Sequence, residues 1–171
     1  MSALLPALTH VGKIALQEAK AGIAPVILSQ IQFGSEPRLP TQEETALVAP
    51  FLSGPTSSHT LDQETGQLDV GVQIDGALEG LTQDYPVHEV GLFDQLGRMI
   101  FYFASPDTLS AITPRTAYAL TIGIAMAQAD AAVIQVNDQG PAWEVIVDQR
   151  IRDALRSVND RLYRTLFLSQ S

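Results

Sequence analysis

Leu8, Val11, Ile14, Ala15 and Ala19 recur at helical spacing, Thr9 stands where an N-cap belongs and Gly22 follows as a stop, which predicts a helix over 9–21. The period then changes from helical to alternating. Val26 to Phe33 places Ile27, Ser29, Ile31 and Phe33 on one face and Val26, Leu28 and Gln30 on the other, and Gly34 ends the strand. Gln67 to Ile74 alternates in the same way, with Leu68, Val70, Val72 and Ile74 opposite Asp69, Gly71 and Gln73, the pattern of a half-buried strand. Val87 to Phe93 and Arg98 to Ala104 read as a hairpin around Asp94-Gln95-Leu96-Gly97. Asp bonds the backbone amides ahead of it, and Gly supplies a positive φ at the close of the turn.

In Thr116 to Met126, Tyr118, Leu120, Ile122, Ile124 and Met126 share a face, and the opposite face is Ala117, Ala119, Thr121, Gly123 and Ala125. A face of small residues lets a second layer approach, so a central strand is expected. Ala132 to Val136 reads as a last short strand. Between these elements, Glu36 to Pro40 is a proline loop. Thr41-Gln42-Glu43-Glu44 has the capping-box pattern ahead of Ala46-Leu47-Val48 and predicts a short helix. Ser53 to Thr60 is polar and turn-rich, the signature of a surface loop.

Asn137-Asp138-Gln139-Gly140-Pro141 is a strong breaker and marks a boundary. Beyond it Val147, Ile151, Leu155, Val158, Leu162 and Leu166 step by 4, 4, 3, 4 and 4, a one-sided helical stripe that is coiled-coil-like but short of a strict heptad. Such a helix packs on its own domain, self-associates around a symmetry axis, or lies on a membrane surface; mixed charges count against the last. Trp143, the single Trp, stands where this helix would leave the domain and reads as a packing anchor, or alternatively an exposed interface anchor. The expected architecture is α+β: an N-terminal helix with a mainly antiparallel β-sheet or sandwich in residues 1–142, then a C-terminal amphipathic helix over 143–171.

Charge separates the same two parts. Residues 1–142 carry 15 acidic and 5 basic side chains, whereas 143–171 carry 4 acidic residues and 5 arginines, within a total net charge of −9. That balance argues against nucleic acid, which needs a dense Lys/Arg surface to displace counterions, and against an anionic membrane. With 171 residues the chain has enough length for a full core, and with no cysteine it has neither disulfides nor thiolate chemistry. The opening Met1-Ser2-Ala3-Leu4-Leu5-Pro6 lacks the basic region of a signal peptide, and no run of about 18 apolar residues occurs, so a product made in the cytoplasm, without membrane insertion, is expected.

No catalytic, cofactor or metal constellation is legible. His88-Glu89 begins like a zinc-protease helix, but Leu92 stands where the second His belongs. His10 and His59 read as surface residues. Gly12-Lys13 lacks both the preceding Gly and the following Ser or Thr of a phosphate loop. Glu89 and Asp94 are five apart on an extended segment and point to opposite faces, so the simpler roles are turn capping for Asp94 and, for Glu89, a hydrogen bond or ion pair that ties the hairpin to the rest of the module.

Two segments carry a resemblance. The first is Leu8-Thr9-x-x-Gly12 with the strand ending Ile31-Gln32-Phe33-Gly34-Ser35; the second is Glu89-Val90-Gly91-Leu92-Phe93-Asp94 with Gly97 and the strand 99–104. In this order and separation, over residues 8–136, they resemble the N-terminal baseplate-attachment module of phage tail fibre proteins, the tail-collar fibre family. The family's strand usually closes in a Gly-Asp-Gly-like turn; here Phe33-Gly34-Ser35-Glu36 departs from it. The resemblance implies a virion structural protein rather than an enzyme, placed at the tail tip in an oligomer, expected to be a homotrimer. It makes Glu89, Val90, Gly91, Leu92, Phe93, Asp94 and Gly97 a structural signature. Because the long shaft and receptor-binding tip of the family do not follow, an adaptor between the baseplate or tail-tip proteins and another tail fibre protein is expected, with Val147, Ile151, Leu155, Val158, Leu162 and Leu166 as the interface. The alternative is a small carbohydrate- or ligand-binding domain whose Pro/Gly/Ser loops, 35–40 and 53–59, rim a pocket, with Phe51 and Tyr85 the nearest aromatics.

Overall fold

A computed structural model describes residues 7–62, 65–76, 79–125 and 133–138. The predicted helix over 143–171, its six interface residues and Trp143 lie outside the described residues. What is described belongs to one compact unit, Met1–Gly140.

The unit is mostly β, which corrects the α+β expectation: eleven strands accompany a single helix among the described residues. In chain order these are β1 (Ala7–Leu8), α1 (His10–Lys20), β2 (Val26–Gly34), β3 (Pro50–Pro55), β4 (Ser58–Asp62), β5 (Gln67–Asp75), β6 (Tyr85–Val87), β7 (Glu89–Asp94), β8 (Met99–Ala104), β9 (Ser110–Ile112), β10 (Ala117–Ala125) and β11 (Ile134–Val136). A six-stranded sheet runs β1-β8-β7-β2-β11, with β3 also paired to β2; a second sheet runs β10-β5-β4; β6 and β9 form a short ribbon. All pairings are antiparallel except β11 on β2.

Two departures have local causes. The capping-box segment does not start a helix: Thr41 Oγ1 donates to Glu44 Oε1 at 3.0 Å, but the same oxygen is taken by Arg38, and the carboxylate serves an ion pair instead of an amide. The segment read as a surface loop, 53–60, instead contributes to β3 and β4, because its amides find the backbone of β2 and β5. β10 is also not central. Among the described residues it pairs with β5 alone, and its small-residue face is largely exposed, whereas Ile122 and Ile124 enter the core.

The core is built by both sheets together. Leu28, Ile31, Phe33, Val90 and Leu92 from the first meet Leu68, Val70, Val72, Ile74, Ile122 and Ile124 from the second, and Phe33 meets Tyr118 edge-on with ring centroids 5.8 Å apart. On the other face of the first sheet, Leu47 covers Phe93, Met99 and Tyr102. In β2 the buried face changes parity. Val26 and Leu28 are buried, and so are Ile31 and Phe33, because a bulge between Leu28 and Gln30 inserts one residue against β7.

Helix α1 is held against β8 at its first turn. Thr9 Oγ1 accepts from the Gly12 amide at 2.8 Å, as an N-cap does, and donates to the Met99 carbonyl at 2.5 Å. A side chain at Gly12 would bring its Cβ to 2.3 Å from the Ile100 carbonyl oxygen, a backbone atom that has no room to move. Gly12→Ala is therefore expected to destabilise the unit by about 1–3 kcal/mol. Urea unfolding checks this; an unchanged midpoint would show that the helix does not need the close approach.

Candidate functional site

The segment singled out as a signature is the most deeply buried strand of the unit. All six residues of β7 are buried: Glu89, Val90, Gly91, Leu92, Phe93 and Asp94. Val90 and Leu92 face the main core, and Phe93 faces the cluster under Leu47. Gly91 leaves the space that Leu47 and Met99 fill, since a Cβ there would lie 2.6 Å from Leu47 Cδ1. Gly97 closes the turn at φ 75°, in the left-handed region that glycine adopts without strain.

The two carboxylates sit at opposite ends of β7. Asp94 organises the turn: its Oδ1 accepts from the amides of Leu96 at 3.0 Å and Arg98 at 2.9 Å. Its Oδ2 accepts from Arg98 Nε at 2.8 Å and lies 2.7 Å from Arg98 Nη2, an ion pair in which one oxygen faces both nitrogens. Arg98 then reaches Glu18 of α1 through Nη1 at 2.9 Å. The hairpin turn is thereby tied to the last turns of the helix. Burial alone would lower the guanidinium's pKa; the hydrogen bonds to Asp94 and Glu18 carry it above its ordinary value instead.

Glu89 is a different kind of anchor. Its Oε1 accepts from the Tyr102 hydroxyl at 2.5 Å and the Val48 amide at 3.3 Å, and its Oε2 accepts from the Ala49 amide at 3.2 Å. The carboxylate thus satisfies two amides of the segment that brings Leu47 over the sheet. Gly34 permits this, because a Cβ at that position would lie 2.5 Å from Glu89 Oε2. Five residue steps along an extended strand set the Cα atoms of the two acids about 16 Å apart. Every oxygen of both is already bonded within the protein.

The two resembling segments, distant in sequence, therefore meet in space. Thr9 and Gly12 dock on Met99 and Ile100, and Gly34 lies against Glu89. Arg98 and Tyr102 were not singled out in the sequence, although both partner the signature acids; Arg98, four residues after Asp94 and across a turn, was the readable clue. The histidines have separate structural roles. His88 is buried between the Ser105 carbonyl at 3.2 Å from Nδ1 and the Thr108 hydroxyl at 3.3 Å from Nε2, His59 pairs with Asp138 at 2.7 Å, and His10 is exposed. Among the described residues no three acidic or histidine side chains gather as a metal site requires. No described helix is long and apolar enough to cross a membrane.

One open groove of about 450 Å³ lies at β3, lined by Gln32, Pro50, Phe51, Leu52, Ser53 and Glu79. Phe51 stacks on Tyr85 with centroids 4.8 Å apart and planes 12° from parallel. Of the loops expected to rim a pocket, only Ser53 contributes. No family model, curated protein or solved structure matches the chain.

Burial, and next the hydrogen bond to Glu89, push the Tyr102 phenol well above its ordinary value. The fold holds the neutral phenol, so this contribution is complete below the unfolded value of about 10 and is lost as pH rises above it. Stability measured by urea unfolding is expected to fall on that alkaline limb, and Tyr102→Phe is expected to flatten it. An equally steep limb in the variant would assign the effect to other groups.

Proposed function

We propose that this chain is a structural component of a phage tail or phage-tail-like particle, an adaptor that joins a tail fibre to the baseplate or tail tip without catalysis. The observation that carries the reading is the union of the two resembling segments in one buried joint. Thr9-x-x-Gly12 seats on the strand that follows the Glu89–Asp94 signature, and both signature acids are consumed in holding that joint. Residues so placed set a rigid shape, as an attachment module requires, and offer no free group to a substrate. In this reading the protein acts in the virion tail as a homotrimer, with Val147, Ile151, Leu155, Val158, Leu162 and Leu166 forming the axis or the contact with the neighbouring fibre protein.

A second reading, a small carbohydrate- or ligand-binding domain, draws support from the groove at β3, which the polar residues Gln32, Ser53 and Glu79 line together with Phe51. Light scattering on the full chain beside one ending at Gly140 separates the two. The adaptor reading predicts a trimer that becomes monomeric on truncation. A monomeric full chain would remove the fibre axis and favour the binding domain.

A further inference from the structure

We propose that the free edge of β3 is a strand-addition site that takes an extended, basic segment of a partner protein. The inference rests on the edge itself and stands whether or not the tail reading does. β3 pairs with β2 on one side, and among the described residues no strand pairs with its other side.

The phase of the ladder says which groups face outward. Thr56 donates its amide to the Ser29 carbonyl at 3.1 Å, so the alternation of an antiparallel pair turns Gly54 and Leu52 toward β2. Ser53 then directs its N–H and C=O away from the sheet, and a bulge opposite Phe33 and Gly34 leaves Phe51 without a partner on β2. Among the described residues no strand other than β2 is paired with β3. Pro50 and Pro55 bracket the strand and lack an N–H, which confines a docked ladder to the residues between. The prolines blunt the two ends of the edge, and the four residues between them carry no charged side chain.

The space beside the edge fits the same occupant. The groove runs over four consecutive residues, Pro50 to Ser53, with Gln32 of the neighbouring strand and Glu79 completing it. Glu79 on the wall, in a segment with three times as many acidic as basic residues, selects a Lys or Arg on the incoming chain. A second copy of this module would bring like charge to that wall. Main-chain bonds supply the affinity in such docking and side-chain pockets the specificity.

The test uses the isotope-labelled full chain and two capped synthetic peptides, each of alternating threonine and valine, one with lysine at both ends and one with glutamate. The lysine peptide is expected to shift the Phe51 and Ser53 amides saturably and to bind about tenfold more tightly than the glutamate peptide. Ser53→Pro, a change tolerated where an edge N–H faces outward, is expected to abolish those shifts, whereas Ser53→Ala retains them. Absence of shifts at millimolar peptide, shifts confined to other residues, or equal affinity for the two peptides would overturn the proposal. A fall in the solution mass of the full chain on Ser53→Pro would also overturn it, by assigning the edge to a second copy.

Discussion

A strand that buries two carboxylates has to bring their donors with it, and much of this unit is arranged around that requirement. An ionised carboxylate without partners in a low-dielectric interior is very costly, and removing one member of a buried pair costs about 3–5 kcal/mol. β7 buries Glu89 and Asp94 at its two ends. Each acid draws in a different part of the chain. Asp94 holds the turn and, through Arg98, the end of α1; Glu89 holds Tyr102 of β8 and the amides of Val48 and Ala49. The donors come from the hairpin turn, the next strand and the segment before β3, and Arg98 donates onward to Glu18 of the helix, so satisfying the acids assembles those elements.

Close backbone approach is the complement of those polar ties. Gly12, Gly34 and Gly91 each stand where a Cβ would collide, against Ile100, Glu89 and Leu47 respectively. The glycines let the helix, the end of β2 and the Leu47 segment come near enough for the hydrogen bonds to form. Residues of this kind specify shape, and that is the link between the local physics and the proposed attachment role. The edge proposed for docking, the open side of β3, lies on the far side of β2 from β7.

Periodicity in the sequence located α1, β2, β5, the β7–β8 hairpin and most of β10, because each has a run of matched spacing long enough to be seen. The role of Asp94 in the turn followed from local chemistry alone. The mostly β architecture was not legible, because β3 and β4 are rich in Pro, Ser, Gly and Thr and owe their strand geometry to β2 and β5, which lie far away in sequence. Alternation puts Val26 and Leu28 on one face of β2 and Ile31 and Phe33 on the other, yet all four are buried, because the bulge between Leu28 and Gln30 shifts parity and an inserted residue leaves no mark on an alternating pattern. The capping box at Thr41 failed for a related reason: Arg38 claims the Glu44 carboxylate, a contact that spacing rules do not contain.

The most direct test of the central claim is native-state hydrogen exchange on the unmodified chain, read at Val48 and Ala49. These amides lie in a segment without regular secondary structure or at its margin, where rapid exchange is the ordinary behaviour. If Glu89 anchors the segment, both are protected to the same free energy as the amides of β7 and open only with the whole unit. Exchange at the rate of the exposed turn around Gln95 and Leu96 would contradict the account, and would leave Glu89 with Tyr102 as its one stable partner.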